Sequence, residues 1–174
     1  MRGRFLAAAV AVCALSPAPA GAFSLVPGGA APPEADAPAF AFPLRGAHDY
    51  GTFENAFGGG RGHGGQDLLC DCGTPVVAAR AGRVTFADFH GRAGYYAVVR
   101  EPDGTSEAYM HLVRPARVRV GERVAAGELI GRAGQTGSAT TCMLHFELWT
   151  APGWYSGGVA VDPGGRLRSW DRRD

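Results

Sequence analysis

The sequence predicts an all-β fold, a small antiparallel β-sheet or sandwich, and three observations carry that expectation. Its 174 residues include 27 glycines and 12 prolines, which interrupt the chain too often for long helices. Its apolar residues fall into short runs bounded by turn formers, at 75–79, 82–88, 95–101, 106–112, 128–133 and 143–150. No stretch sustains the 3.6-residue period of an amphipathic helix. The length suits one domain of ordinary size, and a hydrophobic content of 46% can supply its core.

In chain order, residues 1–22 read as a secretory signal peptide. Arg2 and Arg4 give a charged start, and Ala20-Gly21-Ala22 gives a small-residue cleavage site. The apolar run between them, residues 5–15, is well short of the roughly 20 residues that span a bilayer. A secreted or cell-envelope, extracytoplasmic location is therefore expected, with no stable membrane span after cleavage. Residues 23–41, rich in Pro, Ala and Gly with two acids, read as a linker that cannot bury enough surface to order itself. The folded domain is placed at residues 42–170, with a charged tail at 171–174.

Within the domain, the turn Cys72-Gly73-Thr74-Pro75 leads into the first apolar run. Pro102-Asp103-Gly104 closes a hairpin between the runs at 95–101 and 106–112, because Gly tolerates the positive φ such turns require. Residues 120–131 place Gly every few positions among β-branched residues, the rhythm of tight hairpin corners. Biotinyl and lipoyl carrier domains share that rhythm, but they attach their cofactor to lysine, and this chain has none. All 17 basic residues are arginines, opposed by 16 acids, so no broad cationic face for nucleic acid is implied.

Three cysteines, Cys70, Cys72 and Cys142, lie beyond the signal segment, in a compartment where disulfides persist. Cys70 and Cys72, two apart in a strand-like segment, lie near the edge of disulfide reach from each other. One of them is therefore expected to bond Cys142. Cys72, at its turn, is the preferred partner, which leaves Cys70 as a thiol; three reduced core cysteines are the alternative.

His63 and Asp67 are four apart among Gly58, Gly59, Gly60, Gly62, Gly64 and Gly65, a context that excludes a stable helix and places them on a loop running into a strand. Imidazole and carboxylate both suit zinc, although His and Asp at this spacing are common on surfaces. In the run 143–149 the alternation puts Leu144, Phe146 and Leu148 on a core face and Met143, His145, Glu147 and Trp149 on the other. His145 thus offers a third ligand beside an acid. Glu107, Tyr109 and His111 oppose Ala108, Met110 and Leu112, so His111 is also expected to leave the core. His48 and His90 read as surface histidines, and Trp149, Trp154 and Tyr155 as an aromatic loop that packs on the sheet or walls a groove.

Taken together, Gly62-His63-Gly64-Gly65-Gln66-Asp67, Gly73-Thr74-Pro75-Val76-Val77-Ala78-Ala79, Tyr109-Met110-His111-Leu112, Gly134-Gln135-Thr136-Gly137 and Leu144-His145-Phe146-Glu147 resemble, in order and spacing, the lysostaphin-type (LytM-type) zinc metallopeptidases. The resemblance covers residues 42–150. It implies a compact antiparallel fold with a groove, of the duplicated hybrid motif type. It also implies one zinc per chain held by His63, Asp67 and His145, and hydrolysis of stem or cross-link peptides in peptidoglycan. His111 matches a family histidine that assists proton transfer. A second such histidine is replaced here by Met143, whose thioether carries no exchangeable proton. Loss of such a group costs about 100- to 10,000-fold, so metal binding with weakened turnover is expected. Glu147 is a candidate to orient a ligand imidazole.

Three functions follow from these residues: a secreted zinc endopeptidase of the cell wall, a catalytically degenerate module that binds peptidoglycan or regulates another hydrolase, and a β domain stapled by zinc. Retention of three ligands favours the first, and Met143 the second.

Overall fold

The computed structural model describes residues 39–60 and 62–173. The signal-like segment of residues 1–22, and the linker up to residue 38, lie outside the described residues. The strands are β1 (His48–Asp49), β2 (Gln66–Cys70), β3 (Pro75–Val77), β4 (Gly82–His90), β5 (Gly94–Arg100), β6 (Ser106–Leu112), β7 (Arg123–Val124), β8 (Leu129–Arg132), β9 (Met143–Trp149) and β10 (Ala160–Val161). A 3₁₀ turn at Phe53–Asn55 precedes β2, and a helix, α1 (Gly164–Asp171), follows β10. The main sheet runs β1-β2-β9-β6-β5-β4-β7, with β10 continuing the edge of β9 beyond the reach of β2. β3 and β8 form a second, two-stranded sheet, and every pairing is antiparallel.

Alternation along the strands gives the main sheet two unequal faces. One carries the large core, where Leu68, Val84, Val99, Tyr109, Leu112, Leu144 and Phe146 meet Val76 and Ile130 from the small sheet. The other carries a smaller cluster of Tyr96, Val98, Ala108 and Met110, against which Trp154 packs. β5 and β6 are joined through Gly104, whose φ of 87° is the conformation expected of the glycine in that turn.

The all-β expectation holds, with one short addition: α1 is only eight residues long and seals the core with Leu167 and Trp170, three apart, so it offers no sustained period. Three expectations are corrected. Packing starts before residue 42: Ala41 is buried and donates its N–H to the Ala79 carbonyl, and Phe40 stacks on Trp170. At the far end, Asp171 accepts from Tyr50 and Arg173 lies over the Phe40 ring, so part of the presumed tail is engaged. His48 is half-buried, stacked on Phe42 and 3.3 Å from Asp171, whereas His90 is exposed. Among the described residues, no helix is long and apolar enough to cross a membrane.

Candidate metal centre

The register of β2 against β9 pairs Asp67 directly with His145, so the two side chains leave the same face of the sheet. His63 arrives from the loop before β2. Gly65 lets that loop lie close: a Cβ there would sit 2.4 Å from the Phe146 carbonyl and 2.9 Å from His145 Nε2. The result is one cluster, with His145 Nδ1 2.8 Å from Asp67 Oδ1, His63 Nε2 3.2 Å from the same oxygen, and the two ring nitrogens 3.0 Å apart. Among the described residues this is the one group of three or more His, Cys, Asp or Glu side chains with the spacing of a metal site.

The outer contacts decide what the inner atoms can do. His63 Nδ1 faces the Ala56 carbonyl at 3.0 Å and His145 Nε2 faces Glu147 Oε1 at 3.2 Å, so each outer nitrogen is a donor. That tautomer, assigned from the partners, leaves a lone pair on each inner nitrogen. Two imidazole lone pairs and a carboxylate oxygen therefore converge with no protein donor between them. Such a set fits a borderline divalent cation such as zinc.

Without a cation, a proton takes its place. Burial alone would lower the His145 pKa, but Asp67 and Glu147 on its two nitrogens raise it to about 9. Burial alone would raise Asp67, but the hydrogen bonds from His145 and His63 hold it well below the usual carboxylate range. Glu147 is likewise held down, against its burial, by His145 and by the indole N–H groups of Trp149 at 2.7 Å and Trp154 at 3.0 Å.

His111 reaches this face by breaking strand parity. Opposite Phe146, Tyr109 points into the large core, as does Glu107, both fully buried, whereas Met110 pairs with His145 on the metal side. The expectation that Glu107 and Tyr109 leave the core is thus inverted. His111 adopts φ 63°, and the ladder slips by one residue between Tyr95 and Ala97, which turns its ring onto the metal side and returns Leu112 to the core. The His111 ring lies 5.8 Å from that of His145, centroid to centroid. Its Nδ1 is 2.8 Å from the Thr136 carbonyl, so Nε2 is the basic atom. Thr136 is fixed in turn, donating to the Leu112 carbonyl and accepting from the Tyr95 N–H. Burial, followed by the proximity of His145, lowers the His111 pKa, which keeps the ring neutral.

Met143 opens β9 opposite Leu69, two residues before His145 and on its face, and is buried. Cys72 and Cys142 form a disulfide across 70 residues with Cα atoms 5.1 Å apart, and Cys70 is free. Trp154 packs on Phe86 and Tyr96 while Tyr155 stays exposed. Sequence reasoning missed Asn55, whose Nδ2 donates to Asp67 Oδ2 at 3.2 Å and leaves Oδ1 to the histidines. It also missed the two indoles on Glu147. A Thr52/Asn55 capping pattern was readable, but its contact with Asp67, 12 residues on, was not.

Comparison with known proteins gives a consistent result. The model of peptidase family M23 matches residues 61–163. The chain is 36% identical over 124 residues to the glycyl-glycine endopeptidase ALE-1 of Staphylococcus capitis, covering 70% of this chain and 33% of that protein. It is 32% identical over 155 residues to the cell division protein DipM of Caulobacter vibrioides, covering 86% and 25%. It thus spans about a quarter to a third of the length of these curated relatives. The catalytic domain of lysostaphin from Staphylococcus simulans superposes with a TM-score of 0.58 at 34% identity, over 71% of this chain and 90% of that one.

Proposed function

The chain belongs to peptidase family M23, and from that premise we propose that it is a secreted, zinc-dependent endopeptidase acting on peptide bonds of bacterial peptidoglycan, with turnover lowered by Met143. The observation that carries this reading is the convergence of His63 Nε2, Asp67 Oδ1 and His145 Nδ1 with their outer atoms already engaged. Two neutral ligands and one anion leave a bound dication net positive, and three protein ligands leave room for water and substrate. Zinc held there supplies Lewis acidity, activating water near neutral pH and polarising the scissile carbonyl.

The chain's own residues do the rest. Glu147 and the Ala56 carbonyl hold the two imidazoles in their metal-ready tautomers. Asn55 holds the carboxylate. His111, neutral and anchored through Nδ1, presents Nε2 to take a proton from the attacking water and return it to the leaving amine. Met143 occupies the place where a second proton-bearing ring would assist, and a thioether cannot do so.

The reading is tested by digesting purified peptidoglycan with and without chelator and identifying the fragments by mass spectrometry, alongside metal analysis of the protein. Chelator-sensitive release of new amino termini is expected. Met143 favours one alternative, a degenerate module that binds the wall or regulates another hydrolase; binding without released fragments, at one zinc per chain, would establish it instead.

A further inference from the structure

Three arginines stand in one cross-strand row. Arg83 on β4 is the register partner of Arg123 on β7 and of Arg100 on β5. Register partners share a face, and parity settles which: Val84, Val99 and Val124 point into the large core, so the three arginines leave the opposite side. Val98, of the same parity as Arg100, belongs to the cluster below Trp154, so the row lies on the face that carries the metal centre.

Like charges directly opposed across strands are destabilising, and among the described residues no carboxylate compensates these. Arg83 donates to the Gly121 carbonyl and Arg100 to Ser156 Oγ, both neutral acceptors. Among the described residues, none of the three forms an ion pair with a carboxylate. The neighbouring acids are engaged elsewhere: Glu101 and Asp103 with Arg80, Glu122 with the Arg119 N–H, and Asp88 with the Phe89 N–H. Arg83 and Arg123 are exposed.

The row is continuous with the centre. Glu147 holds Trp154, Trp154 packs on Phe86 and Tyr96, and Arg100 reaches Ser156 of the same loop. Arg100 pairs with Ser106, and Ser106 with Trp149, four residues beyond His145. Strand rise and strand spacing put Arg100 about 17 Å from His145 along the sheet, the reach of roughly five extended residues.

We infer that the Arg83–Arg100–Arg123 row is a second contact for the cell-wall polymer, which it recognises through the free carboxylates of its peptides. The inference rests on the cell-wall reading above and adds to it a preference for carboxylate-bearing over amidated peptides. Guanidinium forks suit carboxylates, and the two exposed members, Arg83 and Arg123, stand about 5 Å apart on neighbouring strands, with the half-buried Arg100 adding its charge beside them.

The test measures sedimentation of the protein with insoluble peptidoglycan in chelator, so that binding is read without cleavage. It compares native polymer with polymer whose carboxylates have been converted to amides, and wild type with R83Q/R123Q and R83K/R123K. Native polymer should bind the glutamine variant at least about tenfold more weakly, the lysine variant, which keeps the charge but loses the fork, should fall between it and wild type, and added salt should weaken wild-type binding. Amidated polymer should bind all three proteins equally weakly. Equal binding of native polymer by wild type and R83Q/R123Q would overturn the inference. So would undiminished wild-type binding to amidated polymer that inorganic polyphosphate displaces, which would assign the row to phosphodiesters. Carboxylate-dependent binding of a polymer that is never cut in the presence of zinc would leave the row standing and remove the hydrolase; cleavage with row-independent binding would do the reverse.

Discussion

Two clusters of buried charge lie back to back on β6 and β9, one against each face of the main sheet, and they differ in how they are closed. On the core side, Tyr109 donates to Glu107 Oε2 and accepts the Ala79 N–H, both at 2.7 Å. Arg80 stands 3.7 Å from Glu107 Oε1 and pairs with Glu101. The protein supplies the cation there. On the metal side, three acceptors meet and the protein supplies none, so a proton or a metal must come from outside. Burial of charge is common to both clusters, and the core side keeps Arg80 Nε, Glu101 Oε1 and Glu107 Oε1 without hydrogen bonds; what separates a site from a strut is whether the chain supplies the cation itself.

The sharpest way to break that comparison is to remove one member from each cluster. His63→Ala should abolish stoichiometric zinc and reduce peptidoglycan hydrolysis at least about a thousandfold, the equivalent of the several kcal/mol a Lewis acid supplies, while the melting temperature without metal stays nearly unchanged. Glu107→Ala should do the opposite. It leaves the Tyr109 hydroxyl without its buried acceptor and Arg80 with Glu101 as its one buried carboxylate, and should cost about 3–5 kcal/mol in denaturant unfolding, yet zinc per folded molecule should remain near one. Metal loss in the Glu107 variant would dissolve the distinction.

The same two clusters show where sequence was legible. The alternation of β9 identified Leu144, Phe146 and Leu148 as inward and His145 and Glu147 as outward, because a regular strand keeps its parity. On β6 the same rule failed. One residue with positive φ, His111, brings the histidine to the metal side although Glu107 and Tyr109, of the same parity, are core. No pattern of residue types announces that bulge, and a buried Glu beside a Tyr looks like a polar face until its partners are known. The candidate ligand set came from motif order rather than local spacing, since His63 and His145 are 82 residues apart. Asn55 and the two indoles were illegible because each acts through a contact made only by the fold.

The metal side can be sharpened further. Met143→His should raise hydrolysis about a hundredfold, read as fragment release at saturating zinc, by returning a proton-bearing ring to the face of His145. An unchanged rate would mean that His111 already carries the proton traffic alone. Glu147→Gln keeps an acceptor for His145 Nε2 but removes its charge, and should weaken zinc binding about tenfold in competition with a chromophoric chelator. The corresponding Glu101→Gln change on the core side should leave zinc affinity untouched.

The smallest effect comes from the proton that substitutes for the metal. In the metal-free protein the His145 pKa is raised to about 9, above its unfolded value near 6.5, by carboxylates on both sides. Its contribution to stability is therefore complete below about pH 6.5 and is lost progressively as pH rises through 9. Chelated protein should melt several degrees lower at pH 9.5 than at pH 6.5, and zinc-loaded protein should not show this loss, because its ring is already deprotonated. Zinc must displace that same proton, so its affinity should rise about tenfold per pH unit over the range where His145 remains protonated, flattening above pH 9. Affinity independent of pH between 7 and 8.5 would mean that no proton bridges the three acceptors, and that the metal-free cluster is closed by some other donor, as the Glu107 cluster is closed by Arg80.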